Sequence, residues 1–219
     1  MRDARVYCSN EADLLIHDVR EKRDTEMKTR DRIIETARTL FNSSDIQSVT
    51  TNHIAAAAEV SPGNLYYHFK DKQEIIRALF DEMIASESRT CDRSSVCDFD
   101  TLYEFFSNLM DVYWHYRFLK REIVALAQRD PILKQRIVEY QKQQSAEIDH
   151  SIRQFIQRGL VVPVDEQRIT SLTRALSLVL TFYLSHVEFD VGEMDGEAIV
   201  RQGVSLMANL IEPYRIQVG

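Results

Sequence analysis

The stretch Thr51 to Phe69, TNHIAAAAEVSPGNLYYHF, constrains this chain more than any other. Ile54 to Ala58 is an apolar run dominated by alanine, a strong helix former whose small side chain lets a second helix cross closely at a steep angle. Thr51 is expected to N-cap this first helix through its hydroxyl. Glu59-Val60 then turns the chain, with Val60 placed to plug the angle between the helices. Ser61-Pro62 opens the second helix: Ser61 as N-cap, Pro62 at the first helical position, where its missing N–H costs nothing. Leu65 and Phe69, four apart, face inward, while Asn64, Tyr66, Tyr67 and His68 stay largely outside. Gly63 and Asn64 leave the helix start bare enough for a flat surface to approach. Two short helices of this kind make a helix-turn-helix, whose second helix enters the major groove of DNA.

The same residues carry a family resemblance. SPGNLYYHFKDK, Ser61 to Lys72, resembles the signature of the TetR family of bacterial transcriptional regulators. The preceding TTNHIAAAAEV and the helix KTRDRIIETARTLF, Lys28 to Phe41, fit the same pattern. The chain departs from it twice. Glu59 stands where the family usually has the glycine of Ala-Gly-Val, and Asn42-Ser43-Ser44-Asp45 where it often has a glycine after the first helix. Asn can take the left-handed conformation of a helix C-cap, so the second departure is mild. The resemblance implies phosphate contacts from Thr51, Tyr66, His68 and Lys72, and contacts with base edges or sugars from Pro62, Gly63, Asn64 and Tyr67. Asn52 and Ser61 complete the expected DNA-facing set. Asn64 is the one obvious amide there able to pair bidentately with adenine. His53 either contacts DNA or is simply exposed.

Net charge argues against a protein that coats nucleic acid: it is −7 at pH 7 over 219 residues. It does not exclude a site-specific reader, because Lys28, Arg30, Arg32, Lys70 and Lys72 gather positive charge around the motif. Gly and Pro are scarce, 6 and 4, which suits helices. The most apolar stretch, Leu172 to Leu184, is too short for a membrane span and carries Arg174. Leu14-Leu15-Ile16 is too short a core for a signal peptide. Three cysteines, Cys8, Cys91 and Cys97, make no disulfide framework, so the cytoplasm is the expected compartment. The spacing of Cys91 and Cys97 matches no strong zinc pattern, and inert thiols are expected, with no metal and no cofactor.

The reading along the chain is all-α: an N-terminal three-helix helix-turn-helix domain plus a C-terminal helical ligand-binding and dimerisation domain. Residues 1–26 are an extension, with a weak helix from Glu11 to Arg23. Residues 27–73 form the DNA-binding domain and 74–219 the rest. Ile33, Ile34, Ala37, Leu40 and Phe41 repeat at helical spacing and should back the motif. Asp71 should cap a connector helix holding Ile75, Ile76, Leu79, Phe80 and Met83. Ser86 to Asp100 is polar and reads as a loop or a helix-helix connection. A helix with Leu102, Phe105, Phe106 and Leu109 follows from Thr101, then an apolar continuation from Phe118 to Leu126. A long helix runs from Asp130-Pro131 to about Arg158, closed by Gly159, and Val161 to Val164 is an extended link. The last two helices, Asp165 to His186 and Gly196 to Tyr214, are apolar over more than one stripe, which a second copy of the chain would cover.

In the second half Phe105, Phe106, Met110, Tyr113, Trp114, Phe118, Phe182 and Tyr183 are either core or, with Arg121, His115, Tyr116 and His186, the lining of a pocket. Arg121 is the residue there best suited to hold a carboxylate or phosphate. Tyr116-Arg117-Phe118-Leu119 and LYYHF resemble the polyhydroxyalkanoate-metabolism regulators of the family, which implies an acyl or acyl-CoA ligand. The chain is thus expected to be a homodimeric repressor binding a palindromic operator and released by a small apolar or amphipathic effector, with no membrane partner. Two alternatives remain: a DNA-binding protein controlled by a protein partner, and an enzyme. The enzyme is disfavoured because no G-x-S-x-G, H-E-x-x-H, P-loop or dinucleotide motif occurs.

Overall fold

The computed structural model describes residues 27–91, 96–187 and 195–216. The extension over 1–26, the helix expected from Glu11 to Arg23, and Cys8 lie outside them. The regular structure among the described residues is helical apart from one isolated β-bridge, and the chain divides into two compact units between Ala78 and Leu79.

The first unit holds α1 (27–43), α2 (Thr51–Ala57), α3 (Pro62–His68) and the start of α4 (Lys72–Thr90). Its core is the set that helical spacing selects: Ile33, Ala37, Phe41, Ile54, Leu65, Phe69 and Ile75 are all buried. Local polar side chains set the ends of the elements. Ser61 Oγ accepts from Asn64 N at 3.1 Å, and Asp71 Oδ1 from Glu74 N at 2.7 Å. Two expectations are corrected. The cap of α2 is Thr50, whose hydroxyl accepts from His53 N at 3.2 Å, so Thr51 is already helical. Asn42 is no left-handed cap: it is buried within α1, and the turn beyond is made by Asp45, whose carboxylate accepts from Gln47 N at 2.8 Å.

Glu59 keeps the motif's turn despite replacing glycine, by adopting φ 53°, the left-handed region. Val60 N then bonds back to Ala55 O at 3.0 Å. A side chain is strained there by about 1–2 kcal/mol. Glu59→Gly removes that strain and gives back part of it as unfolded-chain entropy. It is expected to stabilise the protein by about 0.5–1 kcal/mol, read as a raised midpoint in urea at unchanged m. A lowered midpoint would mean that the glutamate side chain makes a compensating contact.

The second unit holds the rest of α4, α5 (Phe99–His115), α6 (Arg117–Arg121), α7 (Ile123–Arg129), α8 (Pro131–Gln157), α9 (Glu166–Val187), α10 (Gly196–Ile211) and a closing 3-10 turn, Glu212–Tyr214. α5 packs on α10, α9 lies against α6, α8 and α10, and α7 lies against α8. The connection expected from Ser86 to Asp100 is shorter: α4 runs on to Thr90, and α5 begins at Phe99 under an Asp98 cap. The polar residues there belong to a helix whose outer face is solvated, while Glu87 points inward and is buried. The apolar continuation after Phe118 is broken into two short helices at Glu122. Gly203 lets α10 approach closely, since a Cβ there would stand 2.7 Å from Met110 Cε and 2.8 Å from Tyr183 Cε1. Gly159, at φ 71°, ends α8. The extended link after it meets the C-terminal segment in the β-bridge Val161–Arg215, with Val162 N donating to Tyr214 O at 2.8 Å.

Candidate functional site

The outer face of α3 is built from its own start. With Ser61 and Pro62 fixing the first turn, Ser61, Pro62, Gly63 and Asn64 are exposed in sequence, followed by Tyr66 and Tyr67. His68 is half-buried, its ring edge-on to Tyr67 at 5.1 Å. Nothing stands over Gly63: the nearest heavy atom to an added Cβ is Ser61 Oγ at 3.9 Å. The bare backbone of Gly63, an amide and two phenols are therefore exposed together at a helix N-terminus, the end that favours phosphate.

α2 supplies the flank. Thr51 Oγ1 and Tyr66 Oη lie 3.0 Å apart, so the two residues expected at phosphates orient each other. Asn52 and His53 are exposed. His53 Nδ1 accepts from Thr50 N at 3.4 Å, completing the α2 capping box, so its ring is held in place rather than loosely displayed. Lys72 is half-buried, and its ammonium donates to Ile46 O at 2.8 Å and Val49 O at 2.9 Å. It braces the loop that leads into α2, a structural duty that the sequence reading did not assign. Of the other cations around the motif, Lys28 and Lys70 are exposed, and Arg30 lies over the Phe69 ring at 5.1 Å.

The expected ligand residues of the second unit do not converge. Phe105 and Phe106 line an apolar cleft of about 70 Å³, together with Leu109 of α5, Ile148, Ile152 and Phe155 of α8, and Leu172, Leu176 and Leu180 of α9. The others lie elsewhere. Phe118 is fully buried core, and Met110 and Tyr183 close on Gly203. Trp114 lies against Gly196 and under the Arg117 guanidinium, 4.6 Å from its ring centroid. Arg121 is half-buried, with its carbonyl accepting from Ser185 Oγ at 3.0 Å. His115 and His186 are exposed. Phe182 is exposed on a second, open groove of about 630 Å³ between α8 and α9, where the buried Thr173 hydroxyl finds no hydrogen-bond partner among the described residues.

Tyr113 belongs to a buried polar cluster that the sequence reading missed. Its hydroxyl is 2.6 Å from that of Tyr140, which donates to Glu87 Oε2 at 2.5 Å. Gln144 Nε2 donates to both phenols, at 2.7 and 3.0 Å. The Lys120 ammonium sits over the Tyr113 ring, 3.5 Å from its centroid, and donates to Leu180 O at 3.2 Å. Burial pulls its pKa down to about 8, against the opposing pull of Glu87. Burial, followed by the negative charge of its neighbours, holds Tyr140 well above the ordinary phenol range. Gln144 was findable: it falls on the same helical stripe as Ile137, Tyr140, Ile148, Ile152 and Phe155, where an amide is out of place. Lys120, between Leu119 and Arg121, gave no such signal.

A first unit of this form is a DNA-reading helix-turn-helix, and the second is a helical domain with an internal cleft. Residues 33–79 match the family described as "Bacterial regulatory proteins, tetR family", and residues 79–216 match TetR, "Bacterial transcriptional repressor". The chain belongs to the TetR family of bacterial transcriptional regulators. It is similar to the HTH-type transcriptional regulator UidR of Escherichia coli (strain K12), 26% identical over 185 residues that cover 82% of this chain and 90% of that protein. Its fold is similar to that of a TetR-family transcriptional regulator from Marinobacter aquaeolei VT8, with TM-score 0.76, 28% identity, and 85% and 91% of the two chains covered.

Proposed function

We propose that this regulator is a cytoplasmic repressor that binds a pseudo-palindromic operator as a homodimer and is released when a small, mostly apolar ligand enters the second unit. The exposed start of α3, with Gly63 bare and Asn64 beside it, carries the reading at the DNA end. In it Asn64 meets a base edge, Pro62, Gly63 and Tyr67 lie against bases or sugars, and Thr51, Asn52, Ser61, Tyr66 and His68 face the backbone. Lys72 acts there by holding the α2 start in position.

The apolar cleft supports the ligand end. A benzene-sized guest needs a cavity of about 150 Å³, roughly twice this one, so a ligand must push α5, α8 and α9 apart. α4 belongs to both units, since the chain divides within it, and its displacement is the means of transmission. A difference of about 1–3 kcal/mol between the two states shifts operator affinity several-fold to a hundredfold. Dimerisation is supported by Leu178 and Phe182 of α9 and Leu206 of α10, all exposed apolar side chains on a pair of packed helices.

Operators selected from random sequence by the parent protein test the DNA reading. Asn64→Ala is expected to relax preference at one position per half-site by about 1–3 kcal/mol in a gel-shift titration, without changing the salt slope. A uniform loss over all sequences would instead make Asn64 a backbone contact.

A further inference from the structure

We propose that the second unit binds a monocarboxylate with an apolar tail, the carboxylate held by Lys120 and Gln144 and the tail by the cleft between α5, α8 and α9. This rests on the ligand-release reading above and names the chemical class of its ligand.

The starting point is an under-coordinated buried cation. Lys120 is 2% exposed, yet among the described residues its ammonium has a single hydrogen bond, to Leu180 O. The rest of its surroundings are the faces of Tyr113 at 3.5 Å and Tyr140 at 5.5 Å. An ammonium carries three donors, and a buried one calls for a counter-charge. The charged and titratable groups facing it are Glu87 from α4, Tyr113 from α5 and Tyr140 from α8; α9 offers the Leu180 carbonyl, and the neighbour on its own helix is Arg121. Glu87 takes the Tyr140 hydroxyl, and Lys120 forms no ion pair among the described residues. The counter-charge is thus felt at a distance and not coordinated.

The cleft reaches this cluster at Gln144, and Lys120 stands behind its wall, held by the carbonyl of one lining residue. Leu180, whose carbonyl holds Lys120, lines it, and so does Gln144, which holds both phenols. The remaining wall is almost wholly apolar. A guest that fits has an apolar body and one acceptor end. A carboxylate at that end accepts from Lys120 Nζ and Gln144 Nε2 and supplies the missing charge. A dianionic phosphate would need more donors than one ammonium and one amide provide. Taking Gln144 from the phenols frees Tyr140 to move, and Tyr140 is the partner of Glu87 on α4. The head group thereby acts on the connector helix itself.

The proton count gives an independent signature. With its pKa lowered to about 8, Lys120 is mostly neutral at pH 9, and an arriving anion restores its charge. Binding there takes up close to one proton, and affinity falls as pH rises past 8.

The test uses the full chain with octanoate and 1-octanol, equal in length and differing in charge. Calorimetry at pH 7 and pH 9, in buffers of different ionisation enthalpy, reads affinity and proton uptake; operator release is followed by fluorescence anisotropy. Octanoate is expected to bind at least about tenfold more tightly than octanol at pH 7, as a charged hydrogen bond provides. Lys120→Met should erase that difference and the proton uptake, while melting no lower than the parent, because an apolar isostere replaces a poorly compensated charge. Gln144→Leu should weaken octanoate and spare octanol; with the pH 9 measurement on the parent, it decides the matter if Lys120→Met does not fold. Equal binding of acid and alcohol, or octanoate affinity untouched in Lys120→Met, overturns the carboxylate site. If octanol then still releases the operator, the ligand-release reading stands without it. If neither compound binds at millimolar concentration, the site and the ligand class both fall.

Discussion

Gly63→Glu is expected to leave the protein at least as stable as the parent and to remove operator binding. The added Cβ meets no neighbour closer than Ser61 Oγ, at 3.9 Å, and Gly63 is not in the left-handed region. Replacing glycine inside a helix is favourable by about 0.5–1 kcal/mol, and a carboxylate in the first turn complements the macrodipole by about 0.3–1 kcal/mol more. The same carboxylate stands where bases or sugars are expected, beside the phosphates that Ser61 and Tyr66 face. It fills the close approach and sets like charge against like, worth several kcal/mol, so affinity should fall by at least about a hundredfold. Thermal unfolding and anisotropy at fixed salt measure the two effects separately. Gly63→Ala, which adds bulk without charge, should be intermediate in binding and equally stable. Unchanged affinity in the glutamate variant would move the DNA contact away from the start of α3.

The combined substitution Leu178→Glu and Leu206→Glu is expected to give a folded monomer. Both side chains are more than 40% exposed in the protomer, so neither change opens a cavity in the core. In a dimer those positions would be buried, and a buried unpaired carboxylate is severely unfavourable. A monomer loses the benefit of a tethered second half-site, so operator affinity should fall by about 10²–10⁴-fold. Sedimentation velocity gives the mass, and titration against a single half-site gives the control, which should be unaffected. A variant that stays dimeric would place the interface on another face.

What the sequence made legible was mostly local. Ser61, Asp71 and Asp130 cap the helices they precede, because capping needs only a side-chain oxygen and an N–H two or three residues on. Leu65, Phe69 and, on α1, Ile33, Ile34, Ala37 and Phe41 are buried as their spacing demands, while Leu40 of the same stripe is half-buried. The misplaced cap at Thr51 shows the resolution of that reasoning: two adjacent threonines serve equally well on paper, and the reach of His53 to Thr50 decides between them. Pocket composition was not legible in the same way. Whether α6 turns Lys120 or Arg121 toward the core depends on α9, sixty residues away, whose Leu180 carbonyl takes the lysine. Phe105 and Phe106 end up at the cleft and Phe118 in solid core because of helices that no local pattern brings together.

The pairing of α5 with α10 has a consequence for synthesis. About 80 residues separate the end of one helix from the start of the other, so at roughly 5–20 residues per second the ribosome runs for about 4–16 s between them. During that interval the side of α5 that packs on α10, Met110 included, has no partner, whereas the first unit ends at Ala78. A nascent chain of this protein therefore carries a finished helix-turn-helix ahead of a half with exposed apolar surface, and that window is when it most needs a chaperone.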